Sequence, residues 1–283
     1  MRRTRSPWQL MAVLAAAAII ASCGRADMAE PKVQIPVGDV VFYGDAPQQF
    51  GVMKLPDGEG PFPVIVFIHG GFWKNAYDLT LAVPQADDAR QRGFATWNVE
   101  YRRLGDEGGG YPGTLQDISA AINMLARIDA PLNLDQVTVV GHSAGGHLAL
   151  WAGQRNRLSK NYNPTVTPML VVGQAPVTDF DGSLGLGNGA VVAFMGGTPQ
   201  QLPDAYAAAD PMRLLPIEVP QMIVQGGFDT TVPANQSARY RDAAGDQLVY
   251  IEYEYADHFS VISAQSQSWL DVLSEIDRHR KSQ

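Results

Sequence analysis

Val137-Thr138-Val139-Val140-Gly141-His142-Ser143-Ala144-Gly145 runs from an apolar, strand-like stretch into residues 146–153, a small-residue segment compatible with a helix. The pattern G-x-S-x-G at 141–145 therefore lies where a strand turns sharply into a helix, the setting in which it carries chemistry. A serine hydroxyl is a weak nucleophile at its free pKa and must sit where a base can reach it. Such a turn achieves this by straining the serine backbone and exposing its oxygen. A Cβ at 141 or 145 would crowd the turn, which accounts for both glycines. Ser143 is the candidate nucleophile, and the competing reading is a glycine-rich turn after a buried strand.

Around this stretch, apolar runs alternate with helix-like segments. Residues 40–43 and 50–55 read as paired early strands, with Pro56-Asp57-Gly58 as the turn that ends them. Val64-Ile65-Val66-Phe67-Ile68 is continuously apolar, as in a strand buried on both faces. Residues 94–101 form another strand, and apolar positions from 115 to 128 recur at helical spacing. Further strands lie at 169–174, 221–225 and 248–253, and a closing helix spans 263–280 with Trp269, Leu270, Leu273 and Ile276 on one face. This order implies a mostly parallel sheet covered by helices, with its site at the carboxyl ends of the strands. Residues 181–203, which include Gly185-Leu186-Gly187-Asn188-Gly189, break the rhythm and read as a mobile lid or cap loop. No βαβ unit frames those glycines as a nucleotide site.

The base is found by elimination among five histidines. His69 opens a glycine turn, His142 is expected to point away from its neighbour Ser143 along the strand, His147 lies on the next helix, and His279 is in the charged tail. His258 remains, in the loop after the last strand, where an imidazole can take the serine proton and return it to a leaving group. The acid should lie between nucleophile and base. Asp229 comes after a strand end and precedes a turn; Asp179 is the rival, and Asp257 adjoins the base but points elsewhere in an extended backbone. His69-Gly70-Gly71-Phe72-Trp73 resembles the glycine-rich oxyanion motif. Gly71 or Phe72, with Ala144, would donate backbone N–H groups to a tetrahedral oxyanion. Phe72 and Trp73 either line an acyl or aromatic pocket or pack into the core. Tyr101-Arg102-Arg103 reads as structural ion pairing. No HExxH, CxxC pair or histidine–carboxylate cluster points to a catalytic metal, and nothing points to a cofactor.

The first 22 residues read as an export leader: Arg2, Arg3 and Arg5 precede an apolar stretch at 10–21 that is too short for the roughly 20 residues of a spanning helix. Ile20-Ala21-Ser22-Cys23-Gly24 resembles the bacterial lipobox, with cleavage before Cys23 and lipid on its sulfur; an ordinary secretory signal is the alternative. Cys23 is the only cysteine, so no intramolecular disulfide is possible. The expected organisation is a lipoprotein-type signal peptide at 1–22, a tether at 23–38 and one catalytic domain at 39–283. The expected location is the bacterial cell envelope, membrane-held through Cys23 on the periplasmic or surface side. Twenty-nine acidic residues outnumber 21 basic ones, a formal charge of −8 that becomes more negative when the three leader arginines are removed. That balance argues against nucleic acid as a partner.

Residues 40–280 resemble an α/β-hydrolase of the esterase and lipase kind, and within it BD-FAE-type esterases and kynurenine formamidase-like enzymes. The resemblance rests on His69-Gly70-Gly71-Phe72-Trp73, on Gly141-His142-Ser143-Ala144-Gly145-Gly146-His147-Leu148, on Asp229 with Val232-Pro233, and on His258-Phe259. It implies a mostly parallel central sheet with helices on both faces and a short lid loop, and a serine hydrolase acting on small-molecule esters through an acyl-enzyme. An arylformamidase acting on N-formylkynurenine-type amides and a non-catalytic binding module on the same fold are the alternatives. The export leader favours an envelope-side ester as substrate.

Overall fold

The computed structural model describes residues 39–158 and 162–282. The leader at 1–22 and the whole tether at 23–38, Cys23 included, lie outside the described residues, which all fall in one compact unit within 35–283. In chain order the strands and longer helices are β1 (Asp39–Phe42), β2 (Phe50–Lys54), β3 (Phe62–Ile68), α1 (Val83–Gln91), β4 (Ala95–Val99), α2 (Gly113–Met124), β5 (Leu132–His142) and α3 (Ala144–Ala152). Next come β6 (Leu170–Gln174), α4 (Ala190–Met195), α5 (Pro203–Ala209), β7 (Gln221–Gly226), α6 (Asn235–Ala244), β8 (Leu248–Tyr253) and α7 (Gln267–Lys281).

The eight strands make one sheet in the order β1-β2-β4-β3-β5-β6-β7-β8. β1 and β2 pair antiparallel, β2 joins β4 antiparallel, and all later pairings are parallel. This is the mostly parallel α/β sheet that the alternating pattern implies, with the early hairpin at one edge. All seven residues of β3 are buried because side chains alternate between two covered faces. Ile65 and Phe67 pack with Ala86 and Ala89 of α1 and with Trp269, Val272 and Ile276 of α7. Val64, Val66 and Ile68 pack on the opposite face with Leu115, Ile118 and Ile122 of α2 and with Leu148 and Trp151 of α3.

Some boundaries differ from the periodicity. The helix read to residue 128 ends at Met124; Leu125 is buried in the next turn, so the apolar spacing outlasts the helix. The closing helix starts at Gln267, where Ser266 caps it by accepting from the Trp269 N–H. The segment 181–203 is not an open loop. Short helical turns at Asp181–Ser183 and Leu186–Asn188 lead into α4, whose Val191, Phe194 and Met195 are buried. The glycines terminate and link these turns, with Gly187, Gly189 and Gly196 all at positive φ.

The chain visits β3, moves out to β4, then returns across β3 to start β5 on its other side. The sheet order therefore reverses between β3 and β5, and the loops leaving their carboxyl ends diverge to open a crevice.

Candidate active site

Ser143 comes directly after the last residue of β5 and begins the turn into α3. Its backbone sits at φ 56°, ψ −119°, a strained conformation for a residue with a Cβ. Close packing holds it there. A Cβ at Gly141 would run into the Gly145 carbonyl oxygen, and one at Gly145 would meet the carbonyl oxygens of Ile68 and His69. Both glycines are thus needed for the reason the motif implies. The Ser143 hydroxyl makes no capping bond to α3, so it is not engaged by the helix it precedes.

His258 and Asp229, read from different loops, come together. Gln225 and Gly226 of β7 pair with Glu252 and Tyr253 of β8, so the loops leaving these two strands are neighbours. His258 Nδ1 lies 2.6 Å from Asp229 Oδ2, with both side chains buried. Asp229 Oδ1 accepts the Thr231 and Val232 N–H groups at 2.8 Å each, and Oδ2 also accepts from Gln225 Nε2 at 3.2 Å. The carboxylate is therefore fixed in orientation, and it engages the Nδ1 side of the His258 imidazole. Ser143 and His258 line one cleft, although no hydrogen bond joins them in this structure. The rival acid, Asp179, is held by Arg239 at 2.9 Å and by the Gly182 N–H at 3.0 Å. Asp257 accepts from the Phe259 and Ser260 N–H groups, while the His258 ring pairs with Asp229.

The cleft holds about 370 Å³ of free space, mouth included, and is lined by Gly71, Phe72, Tyr77, Leu81, His142, Ser143, Thr231, His258 and Phe259. Phe259 is 61% exposed and Tyr77 43%, so aromatic rings form the rim. The loop after β3 turns through three successive positive φ values, at Gly71 (112°), Phe72 (53°) and Trp73 (54°). Gly71 has no room for a Cβ, which would overlap the Tyr77 ring. Among the described residues, the N–H groups of Gly71, Phe72 and Ala144 donate to no acceptor. The first two belong to the cleft wall, and the third opens α3 beside Ser143, where helix N–H groups have no partner within the helix.

Trp73 belongs to the core and not to the pocket. It is 1% exposed, stacks on Phe194 of α4 at 4.7 Å, and donates from Nε1 to His147 Nδ1 at 3.3 Å. His147 in turn donates from Nε2 to the Ala209 carbonyl at 2.9 Å, and burial lowers it to about 4. The segment 181–203 meets the site only indirectly: Gly187 abuts the Phe72 ring, and none of its residues lines the cleft.

His142 also departs from the orientation that the strand alternation implies. Side chains of adjacent strand residues point to opposite faces, but the chain leaves β5 at this point. The His142 ring reaches the cleft, 4.5 Å from the His258 ring centroid. Gln225 is a site residue that sequence reasoning misses; it reaches both Asp229 and the Val232 carbonyl oxygen. No local signal marks either residue, because each contact depends on strand adjacency. Arg102 and Arg103 are structural, pairing with Asp117 at 2.7 Å and Glu100 at 2.9 Å.

Among the described residues, one group of carboxylates, Asp179, Asp181 and Asp210, is close enough to share a metal, with oxygens within 4.8 Å of one another. Two guanidinium groups already bind it: Arg239 on Asp179, and Arg213 on Asp181 at 2.6 Å and Asp210 at 3.6 Å. This cationic surrounding opposes a divalent ion.

The BD-FAE family model matches residues 52–243. No curated protein matches the chain. Solved structures share its fold. A bifunctional GH43-CE protein of Bacteroides eggerthii is 22% identical with a TM-score of 0.74 over 84% of this chain, which spans only 37% of that one. Esterase B of Lactobacillus Rhamnosis is 21% identical with a TM-score of 0.73, covering 86% of each chain. Est2, a thermophilic esterase of the Planctomycetes species Thermogutta terrifontis with propionate bound, is 19% identical with a TM-score of 0.68, covering 88% of this chain and 94% of that one. At these identities the likeness is one of fold.

Proposed function

This chain belongs to the BD-FAE family, and from that premise we propose that it cleaves carboxylic esters of short acyl groups through a covalent acyl-enzyme on Ser143. At the level of family and fold it is an esterase-type hydrolase. The observation that carries the finer reading is the buried Asp229–His258 pair at 2.6 Å, opening on the same cleft as a strained, uncapped Ser143.

In this reading His258 Nε2 takes the Ser143 proton as Oγ attacks the ester carbonyl, and Asp229 stabilises the imidazolium through Nδ1–H. The oxyanion is received by the Ala144 N–H together with that of Gly71 or Phe72. His258 then returns the proton to the leaving alcohol, and water repeats the sequence in reverse to release the acid. The modest size of the cleft supports a short acyl chain, as does the propionate bound to a protein of the same fold. The leader supports an envelope location with lipid on Cys23; sedimentation with membranes that persists in Cys23→Ala would overturn that part.

The test is hydrolysis of p-nitrophenyl esters of increasing acyl length by the form starting after Cys23. Ser143→Ala is expected to lose about 10³–10⁶ in kcat, the remaining rate coming from binding and the oxyanion donors. Turnover at the wild-type rate sinks the reading. The His69-Gly70-Gly71-Phe72-Trp73 stretch favours a formamide as the second substrate class, so N-formylkynurenine belongs in the same panel. A fluorophosphonate that fails to label Ser143 supports the binding-module alternative.

A further inference from the structure

Directly behind the proposed base lies a histidine that the acyl-enzyme scheme does not use. His142 Nε2 is 2.9 Å from the backbone carbonyl oxygen of His258. A carbonyl oxygen only accepts, so Nε2 carries the proton and Nδ1 is left as an acceptor. Burial, with the neighbouring His258, pushes His142 down to about 3, so its ring is neutral at working pH. Nδ1 is buried and has no hydrogen-bond partner among the described residues. Buried polar groups are costly in that state, and each calls for an explanation.

The partner is suggested by a second such atom. Gln85 Nε2 on α1, a donor, is also buried without a partner. His142 and Gln85 line the same small pocket between α1 and the ends of β3 and β5. A single water between the two atoms would accept from Gln85 and donate to His142 Nδ1, leaving neither unpaired.

We propose that His142 is a positioning residue for His258, kept in its Nε2–H form by one buried water shared with Gln85, and that it anchors the loop from which the base reaches Ser143. The inference rests on the acyl-enzyme reading above. His258 is held on its side chain by Asp229, but its main chain leaves β8 through exposed residues, Tyr255 at 76% among them. The bond from His142 ties that main chain to the end of β5, which Ser143 directly follows. Nucleophile and base are thereby referenced to one rigid element, and displacements of about 1 Å at such a pair cost on the order of 10²-fold in rate.

Two variants and one spectrum test this. His142→Phe keeps a ring but no donor; His142→Gln restores an N–H within reach of the carbonyl. His142→Phe is expected to lower kcat on p-nitrophenyl acetate about 10- to 100-fold and to slow fluorophosphonate labelling of Ser143 in proportion, with KM within about twofold. His142→Gln is expected to recover most of the rate. In the wild-type protein, ¹⁵N shifts are expected to show His142 as a neutral Nε2–H imidazole from pH 5 to pH 9. An undiminished kcat in His142→Phe, no recovery in His142→Gln, or an Nδ1–H or titrating His142 overturns the proposal. The ¹⁵N result decides even if a variant fails to fold. Full turnover by Ser143→Ala would instead overturn the acyl-enzyme reading, leaving the His142 measurements to stand separately.

Discussion

Ser143 holds a backbone conformation that costs on the order of 1–3 kcal/mol for a residue with a side chain, and Gly141 and Gly145 leave room for the close packing that holds it there. Asp229 is the complementary case, a residue whose two oxygens have separate duties. Oδ1 serves the turn by accepting from Thr231 and Val232, and Oδ2 serves His258 and also accepts from Gln225. Asp229→Asn can keep the first duty through its carbonyl oxygen while its amide faces Nδ1 as a donor, forcing the wrong tautomer. The expected result is a loss of about 10⁴ in kcat with little change in Tm. A variant that unfolds in step with its loss of rate would show that Asp229 acts mainly on the turn. Trp73 shows the limit of reading single residues. Adjacent to a cleft-lining Phe72, it nonetheless turns inward, because a buried indole N–H needs an acceptor and His147 supplies one.

Among the elements, α3 and α7 divide the work. α3 is wholly buried and apolar apart from His147, which suits a helix that must place Ala144 against the sheet ends. α7 has one apolar face and closes the opposite side of the sheet, with Trp269 packed on Phe67 and donating to Asp88 of α1 at 2.7 Å. Trp269→Ala removes that packing and leaves Asp88 one donor short. It is expected to destabilise the fold by about 3–5 kcal/mol in denaturant titration. The proposed site lies at the ends of the strands and not on this face, so activity per folded molecule is expected to persist. A stability change under about 1 kcal/mol would mean that α7 is not a structural layer. The segment 181–203 obeys the same logic: its apolar side chains, Val191 and Phe194, are buried in the core, and its glycines link helical turns.

Across the whole molecule, charge is placed so that pH acts on stability through a buried acid outside the cleft. Burial raises Asp210 from its ordinary 3.8 to about 7; nearby Asp179 adds to the rise, and Arg213 at 3.6 Å offsets only part of it. Between those values the folded chain retains a proton that the unfolded chain has released. The associated stability is fully present below pH 3.8 and is lost as pH rises through 7. Asp210→Asn keeps the oxygen that accepts the Met212 N–H and has no charge to bury. Its Tm is expected to match wild type near pH 4 and to exceed it at pH 8. A difference in Tm that does not vary with pH would contradict this.

The local geometry of the chain was legible in the sequence: the strand–turn–helix at 137–153, the parallel α/β alternation, and Asp229 and His258 as side chains just past strand ends. These arise from short-range rules, the period of a strand or helix and the space a Cβ requires, which neighbouring residues determine among themselves. The 2.6 Å meeting of Asp229 with His258, the contact of His142 with the His258 carbonyl, the support from Gln225 and the inward turn of Trp73 were decided only in three dimensions. Each joins elements distant along the chain, through the order in which β3, β5, β7 and β8 stand in the sheet. Strand order is selected by the packing of the whole core, and no stretch of neighbouring residues carries that information by itself.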